Sequence, residues 1–421
     1  MGRTDPSGGD AVADRQIRDL LATAKRALGL SVTFLTRMDG TTQHLERVDS
    51  SVPFLFQEGY RQRQDRTLCQ AIRDGELPAV IPDLRKHPVA MRLPAARFPR
   101  IRSYVSVPVV FSDGTVYGTF CGAGLTTDKG LAARDQALMD VLAQAAALVL
   151  EPAEQEKSRV AEITARLAPV IRDGGPLVVL QPIAALSTGL RVGSEALSRF
   201  PADWGKAPDL CFQEAHSVGQ GDRLELLALR RAAAHLDRVS GYVAMNVSPA
   251  TLLTDDCRAV LEALPLNRVL LELSEHDPVE DYDALGDVLA PLRARGLRLA
   301  IDDVGAGFSS LRHIVLTAPD VIKLDRTLVD GLSGNPVLAT LVRSLVQFGH
   351  GAGAAVVAEG VETAEDAAVL KDFDVDYAQG WHVGRPGSPE QLRDHYQLLP
   401  TYDDRPGDRG PYRVVATPRR G

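Results

Sequence analysis

The amino-acid sequence predicts an α/β protein in which a (β/α) barrel follows a smaller α+β domain. In the C-terminal half, short apolar runs alternate with helical patterns, which is typical of β-α units and a mostly parallel sheet. These units extend from residue 177 to about residue 400, roughly the length of such a barrel. In the N-terminal half, helical periodicities instead flank strand-like runs joined by a hairpin signal.

The composition is that of an ordinary globular protein. Of the 421 residues, 45% are hydrophobic and 24% are charged, so the chain can bury a large core in two or three domains. The net charge of −8 argues against a DNA or RNA partner. No apolar run has the roughly 18–20 residues that span a membrane. The start lacks a secretory signal, and the four cysteines fit free thiols, so we expect a cytoplasmic protein.

The N-terminal elements follow from local patterns. Residues 1–13 are rich in Gly, Asp and Ser and are expected to be disordered. A helix is predicted from Asp14, because Ile17, Leu21 and Leu28 share one face before Gly29. The remaining predicted elements are strands at 31–38, 104–111 and 115–121, helices at 68–74 and 132–150, and an irregular loop at 82–103. Together they predict an α+β domain over residues 14–150.

Residues 151–176 are predicted to form a helical linker. Val160, Ile163, Leu167 and Val170 recur at heptad-like spacing, and Pro152 is expected to interrupt the helix that leads in. Two arrangements fit this apolar stripe. We favour pairing with a second copy in a dimer, and the alternative is packing against the linker's own domain.

The C-terminal half is organised around residues 297–311. An apolar run after Gly296 stops at Asp302 and Asp303, and a Gly- and Ser-rich loop follows. The run is typical of a buried parallel strand, so the two acids lie at its carboxyl end, where α/β folds place ligands. Adjacent carboxylates resist burial, and a divalent cation would remove that cost. Capping of the next helix is the alternative for this pair taken alone.

Polar residues end or closely follow the other apolar runs, and a barrel would bring these ends to one face. The candidates are Glu195, Asn246, Glu272, Glu275, Asp302, Asp303, Lys323, Glu359 and Gln379. One lysine cannot neutralise so many carboxylates, and oxygen ligands suit Mg²⁺ or Mn²⁺. Two such ions sharing a carboxylate are suited to attack on a phosphodiester. A structural ion-pair network is the alternative, which the excess of acids disfavours.

Residues 177–398 resemble the EAL domain, the cyclic di-GMP phosphodiesterase family, in motif content and order. The matching motifs are Gln181-Pro182-Ile183, Glu195-Ala196-Leu197-Ser198-Arg199, Asn246-Val247-Ser248-Pro249, Glu272-Leu273-Ser274-Glu275, Asp302-Asp303-Val304-Gly305-Ala306-Gly307, Lys323-Leu324-Asp325, Ala358-Glu359-Gly360-Val361-Glu362 and Gln379-Gly380. The resemblance implies a TIM-like (β/α)8 barrel of EAL type over residues 177–400. It also implies that the barrel opens cyclic di-GMP to linear pGpG with two metal ions. Residues 401–421 are expected to be a disordered tail.

The resemblance further implies a role for each matched residue. Lys323 would position and help activate the attacking water, Arg199 would hold a phosphate and Gln181 a guanine. Gln379 would contact the water network, and Glu275 would tether the loop after Asp303. The implied metal ligands are Glu195, Asn246, Glu272 and Asp302 for one ion, and Asp302, Asp303 and Glu359 for the other.

Departures from the family pattern cluster in the loop after Asp303. Val304, Ala306 and Phe308 stand where Phe, Thr and Tyr are usual. Every metal-ligand position and the lysine position are filled. The departures therefore bear on the rate more than on the chemistry.

Residues 14–150 resemble a GAF domain, a small sensory module, in the order of elements and in the run from Ser106 to Cys121. Such domains bind cyclic nucleotides, haem, flavin, bilins or nothing. Cys69 is a candidate for a bilin and His87 for a haem, but a structural role is favoured for both.

Three functions fit these observations. The first is a cyclic di-GMP phosphodiesterase regulated by the GAF-like domain and working as a homodimer, as the family usually does. The second is a catalytically inert module that binds cyclic di-GMP. The third is a two-metal hydrolase acting on another phosphodiester, since a fold alone does not fix the substrate.

Overall fold

The computed structural model describes residues 6–52, 56–97, 101–274, 276–305 and 310–393. The chain divides into two compact units, Met1–Arg159 and Val160–Gly421. Among the described residues, every helix is too short or too polar to cross a lipid bilayer.

The first unit is built on a six-stranded antiparallel sheet. The strands are β1 (Val32–Met38), β2 (Thr42–Ser50), β3 (Arg61–Arg63), β4 (Val80–Ile81), β5 (Ser103–Val110) and β6 (Val116–Gly124). They pair in the order β3-β2-β1-β6-β5-β4. The helices are α1 (Pro6–Leu28), α2 (Leu68–Arg73), α3 (Pro88–Arg92), α4 (Pro94–Arg97) and α5 (Ala133–Arg172), of which α5 continues into the second unit.

Both faces of this sheet are buried. Successive strand residues point to opposite faces, and each set packs in an apolar cluster of its own. Phe120 packs with Ile17 of α1 and Met139 of α5 in one apolar cluster. Its neighbour Cys121 packs with Leu68 of α2 in another. The predicted α+β architecture of this half is confirmed.

Two N-terminal predictions are wrong. The segment 1–13 was expected to be disordered, but α1 already begins at Pro6, since proline fits the first turn of a helix. The segment 82–103 was expected to be irregular, but it contains α3 and α4. Each of these short helices also has a proline as its first residue. Residues 1–5 and the predicted disordered tail 401–421 lie outside the described residues.

The second unit contains a closed barrel of eight strands. The strands are β7 (Leu177–Ala185), β8 (Arg191–Arg199), β9 (Tyr242–Asn246), β10 (Val269–Ser274), β11 (Arg298–Val304), β12 (Val321–Leu324), β13 (Ala355–Ala358) and β14 (Tyr377–Gln379). The predicted barrel is confirmed. One strand departs from the mostly parallel pattern, because β7 runs antiparallel to both of its neighbours, β8 and β14.

Helices cover the outside of the barrel. They are α6 (Pro208–Ser217), α7 (Gly221–Ala233), α8 (Pro249–Leu252), α9 (Asp255–Glu262), α10 (Tyr282–Ala294), α11 (Ser310–Thr317), α12 (Arg326–Val329), α13 (Pro336–Gly351), α14 (Ala364–Asp372) and α15 (Pro389–Arg393). Two large apolar clusters join these helices to the strands. The outer faces of the strands are therefore packed against helices, whereas their inner faces line the interior of the barrel.

The predicted break at Pro152 is wrong, since α5 runs through it without interruption. Proline inside a helix removes one backbone hydrogen bond and costs about 3 kcal/mol. Burial of side chains on both sides of the proline offsets this cost, as at Met139, Ala146 and Leu167.

The apolar stripe of the predicted linker packs within its own unit. Ile163, Leu167 and Val170 are buried with Ala215 of α6 and Leu224 of α7. The favoured pairing of this stripe with a second copy is therefore wrong, and its packing against its own domain is confirmed.

Candidate metal centre

The site lies one layer above an apolar plug inside the barrel. All eight strands contribute to this buried cluster, whose members include Ala244, Leu270, Ala300, Val321, Val357 and Tyr377. Side chains two residues apart on a strand point to the same face. The next inward positions are therefore Asn246, Glu272, Asp302, Lys323, Glu359 and Gln379. The two-residue period of the strands thus places these polar side chains at the mouth of the barrel.

Lys323 occupies the centre of this polar layer. Its side chain has 0% exposure, as does that of Glu272. The Nζ atom lies 2.5 Å from Glu359 Oε1, 3.0 Å from Glu272 Oε1, 3.1 Å from Asp302 Oδ1 and 3.5 Å from Glu195 Oε2. Four predicted carboxylates are therefore gathered around the one predicted lysine.

Burial and mutual repulsion shape the protonation of these groups. Burial, and then the neighbouring carboxylates, raise the pKa of Glu272 and of Glu359 well above the usual value, against the opposing effect of Lys323. The pKa of Asp302 is raised for the same reasons. Burial alone would lower the pKa of Lys323, but the surrounding acids outweigh it and raise that pKa.

Lys323 does not supply all the hydrogen bonds and positive charge that the surrounding carboxylates need. Neither carboxylate oxygen of Glu272 accepts a hydrogen bond from a described residue, although Lys323 Nζ lies close to Oε1. A buried carboxylate without full compensation costs several kcal/mol. Because oxygen atoms with unused lone pairs attract hard cations, this donor set fits Mg²⁺ or Mn²⁺.

The carboxylates form two groups that share one member. Glu195, Glu272 and Asp302 each offer an oxygen within 4.8 Å of the others, and so do Asp302, Asp303 and Glu359. Asn246 joins the first group, because its Nδ2 donates to Glu195 Oε1 at 3.2 Å. The structure thus brings together all six residues predicted as metal ligands.

A local distortion of β11 allows Asp302 and Asp303 to serve one site. Successive strand residues normally point to opposite faces. Here the pairing with β12 shifts between Ile301 and Val304, and Asp303 has a φ of +59°, which Asp tolerates better than most residues. The Asp303 amide donates to Asp302 Oδ1 at 3.0 Å. Burial and the Asp302 charge raise the pKa of Asp303 to about 6.

Two glutamines border the acids. Gln379 Nε2 donates to Glu195 Oε2 at 2.5 Å and to Gln181 Oε1 at 3.2 Å. Gln181 Nε2 donates to the Gly384 carbonyl at 3.1 Å. Arg199, at the end of β8, donates to the Ser198 carbonyl at 2.9 Å, not to a carboxylate of the site.

Sequence reasoning missed Glu225 of α7, which supports the site from outside. Its buried carboxylate accepts hydrogen bonds from the Ser248 amide at 2.9 Å and the Ser248 hydroxyl at 2.8 Å. His216 Nε2 lies 2.5 Å from its other oxygen. The Glu225 carboxylate thereby fixes the turn after Asn246. A single acid within the otherwise apolar run 224–229 is the signal that could have revealed it.

Some of the remaining predicted residues lie outside the part of the chain that the structure describes, and others lie in the first unit. Glu275, Ala306 and Phe308 lie outside the described residues. In the first unit, Cys69 is buried at the start of α2, and His87 precedes α3 in a half-buried position.

Comparisons with known proteins agree with this architecture. The EAL domain profile matches residues 165–386, and the GAF domain profile matches residues 14–151. A cyclic di-GMP phosphodiesterase of Pseudomonas aeruginosa is 30% identical over 267 residues, which is 58% of this chain and 44% of that protein. An uncharacterized signaling protein of Caulobacter vibrioides is 33% identical over 232 residues, which is 53% of this chain and 29% of that protein. The chain therefore spans less than half the length of these relatives.

A solved structure extends the likeness in fold across most of the chain. It is an EAL enzyme with cAMP and cyclic di-GMP bound, and it aligns with 86% of this chain and 92% of its own. The TM-score is 0.51 at 17% sequence identity. At that identity, the likeness concerns the fold alone.

Proposed function

The chain belongs to the EAL domain family, and from this premise we propose that its barrel hydrolyses cyclic di-GMP to linear pGpG with two divalent cations. The observation that carries the proposal is the pair of carboxylate groups that share Asp302. The 30% identity to a cyclic di-GMP phosphodiesterase supports the choice of substrate.

The ligand sets follow from the two groups. Glu195, Asn246, Glu272 and Asp302 hold one Mg²⁺ or Mn²⁺ ion. The second ion is held by Asp302, Asp303 and Glu359. When bound, such a pair of ions makes an attacking water more acidic and neutralises charge that builds on the phosphoryl oxygens.

Lys323 supplies the remaining positive charge. Its raised pKa keeps the ammonium protonated at neutral pH. The group can donate three hydrogen bonds and has no exposed surface, so it orients a water beside Glu359 without competition from bulk solvent. Lys323, Glu359 and Glu275 form the catalytic group in this proposal, with Glu275 tethering the loop after Asp303.

Substrate contacts come from the rim. Gln181 contacts a guanine, and Gln379 orders the water network beside Glu195. Arg199 holds a phosphate, for which a guanidinium is suited because it donates in a planar fork. The hydrogen bond from Gln379 to Gln181 supports placing both residues in one substrate surface.

The first unit serves as the regulatory part. Residues 14–150 act as a GAF-like sensor, residues 151–176 as a helical connection and residues 177–400 as the phosphodiesterase. The protein works in the cytoplasm as a homodimer. The match of the GAF domain profile to residues 14–151 supports the sensor role.

Turnover by the purified full chain tests the proposal directly. With cyclic di-GMP and Mg²⁺ or Mn²⁺, we expect pGpG on anion-exchange chromatography, and a loss of product with Ca²⁺, whose looser coordination suits a catalytic pair poorly. Glu195→Ala should abolish turnover while the protein remains folded by circular dichroism. A fully active Glu195→Ala variant would remove the metal assignment.

Binding without turnover is the second candidate. It is favoured by the position of Lys323 Nζ, which already lies within 3.5 Å of four carboxylates and could compensate them in part without a cation. Calorimetric binding of cyclic di-GMP in Mn²⁺ with no pGpG would establish this candidate and refute the first. Competition by other cyclic dinucleotides would test whether the barrel acts on a different phosphodiester.

A further inference from the structure

Two cysteines that are distant in sequence meet inside the first unit. Cys69 on α2 and Cys121 on β6 have their Sγ atoms 3.3 Å apart. Both are free thiols, and their exposures are 2% and 0%. The apolar cluster around them includes Phe34 and Leu68. A thiol pair in contact is the arrangement from which a disulfide forms.

Hydroxyl groups surround the two sulfurs within this apolar cluster. Tyr104 OH lies 3.0 Å from Cys69 Sγ, and Ser106 Oγ lies 3.2 Å from Cys121 Sγ. Thr119 Oγ1 lies 3.1 Å from Cys121 Sγ. Hydroxyl and thiol donors stabilise a thiolate, which is the reactive form of cysteine.

These contacts make the two thiols unequal. Burial alone would raise the pKa of Cys69, but the donors, Cys121 first among them, outweigh it and lower that pKa. Burial, followed by the Cys69 contact, raises the pKa of Cys121. Cys69 is therefore the thiol that ionises first, and Cys121 keeps its proton beside it.

We propose that Cys69 and Cys121 form a reversible oxidation site, which hydrogen peroxide converts to an intrachain disulfide. The Cys69 thiolate attacks the peroxide, so that an S–O bond forms, the O–O bond breaks and hydroxide leaves with the proton that Cys69 released. The Cys121 sulfur then attacks Cys69 sulfenic acid, and water leaves with the Cys121 proton. Two thiols are oxidised, and one peroxide is reduced to two waters.

Little movement of the two sulfurs is needed to form the bond once peroxide has reached Cys69. A disulfide bond is about 2.0 Å long, so the sulfurs must approach by little more than 1 Å. Cys69 lies in the first turn of the short helix α2, and Cys121 lies on β6, which pairs with β1 and β5. The disulfide would tie α2 to the middle of the sheet.

Peptide mapping of the 421-residue chain tests the site without any variant. The protein is reduced, desalted, exposed to hydrogen peroxide and then denatured in a maleimide reagent. We expect the count of labelled thiols to fall from four to two. Trypsin should release residues 67–73 linked to residues 103–129, and dithiothreitol should separate them. Four labelled thiols after peroxide, or a linkage between other cysteines, would overturn the proposal.

Matched variants separate this pair from general oxidation. Cys69→Ser should lose no thiol beyond the one replaced. Cys257→Ser, which removes another buried thiol, should still form the linkage and fall from three labelled thiols to one. Circular dichroism checks that each variant is folded. Equal thiol loss in Cys69→Ser and the unmodified protein would contradict the site. These readouts count thiols, so they do not depend on the proposed phosphodiesterase activity.

Discussion

Lys323 carries the only positive charge that the described residues place among the acids of the barrel mouth. Its Nζ lies within 3.5 Å of four carboxylates, and its side chain has no exposed surface. Its effect on stability therefore depends on whether a cation is bound. Without a cation, removal of the lysine leaves these buried acids with no positive charge beside them among the described residues.

The first prediction concerns this residue. Lys323→Ala should lower the free energy of unfolding by about 3–5 kcal/mol in EDTA, because it leaves buried charges unpaired. Mn²⁺ should recover part of the loss. Urea denaturation with and without Mn²⁺ measures both effects. Lys157→Ala is the control, since it removes an exposed helix ion pair and should cost less than about 1 kcal/mol. An equal effect of the two substitutions would contradict the central role of Lys323.

The second prediction concerns Asp303, whose pKa is raised to about 6 by burial and the Asp302 charge. A carboxyl must lose its proton before it binds a metal, so Mn²⁺ affinity should fall as the pH drops through about 6. Asp303→Asn should make the pH dependence of the Mn²⁺ affinity shallower, because one of the carboxyls whose pKa is raised no longer titrates. Calorimetry at pH 5.5 and 7.5 measures it. Equal affinity at both values in the unmodified protein would contradict the assignment.

Individual site residues were predictable to different degrees. Asp302, Lys323 and Glu359 were found because each follows an apolar run at a strand end, which a parallel barrel brings to one face. Glu225 was missed because it acts through the amide and hydroxyl of Ser248 and lies on a helix outside the barrel. The left-handed backbone of Asp303 was also missed, since nothing in the residue order signals it.

At the scale of elements, α6 and α7 are joined to the turn after β9 by the His216–Glu225 pair. The hydrogen bond with Glu225 raises the pKa of His216, although burial opposes it. The pKa of Glu225 is lowered, because His216 and the Ser248 groups outweigh its burial. The pair therefore gains stability when the imidazole is charged.

A third prediction follows for this pair. The stabilisation from a histidine with a raised pKa is present below its unfolded pKa of about 6.5 and is lost as the pH rises through the folded value. His216→Gln should therefore destabilise the protein more at pH 6 than at pH 9. Urea denaturation of both proteins at the two pH values gives the difference. A difference that does not change with pH would contradict the charged pair.

A fourth prediction concerns Pro152, which lies inside α5. Pro152→Ala restores a backbone donor to the helix and removes the clash of the proline ring, against a smaller loss from the more flexible unfolded chain. We expect thermal unfolding to move to higher temperature, corresponding to about 1–2 kcal/mol. Pro94→Ala is the control, since Pro94 begins α4 and its ring suits that position. Destabilisation by Pro152→Ala would contradict a continuous helix.

The antiparallel direction of β7 is a feature of the fold that the hydrophobic pattern did not predict. The apolar pattern of a strand is the same in either direction, so periodicity could not reveal that β7 is antiparallel. The connection from Ala185 to Arg191 carried a usable signal. A parallel crossover needs a dozen or more residues, whereas residues 186–190 are enough only for a hairpin.

At the scale of the whole molecule, cation binding and folding should be linked. An ion that binds only the folded barrel stabilises it by about 2.7 kcal/mol at 100 times its Kd. Mn²⁺ should therefore raise the unfolding temperature in calorimetry, and Glu272→Gln should reduce the rise. Because the chain has two compact units, the thermogram is expected to contain two transitions, of which Mn²⁺ shifts one. A thermogram that is unchanged by Mn²⁺ would contradict the metal centre.

The closure of the barrel has a consequence for synthesis of the protein. β14 completes the ring by pairing with β7, and Gln379 at its end donates to Glu195. A nascent chain on the ribosome that has not yet reached residue 377 thus lacks both the final strand and this contact. We expect such a chain to lack the closed barrel, and with it the hydrolysis of cyclic di-GMP that we propose.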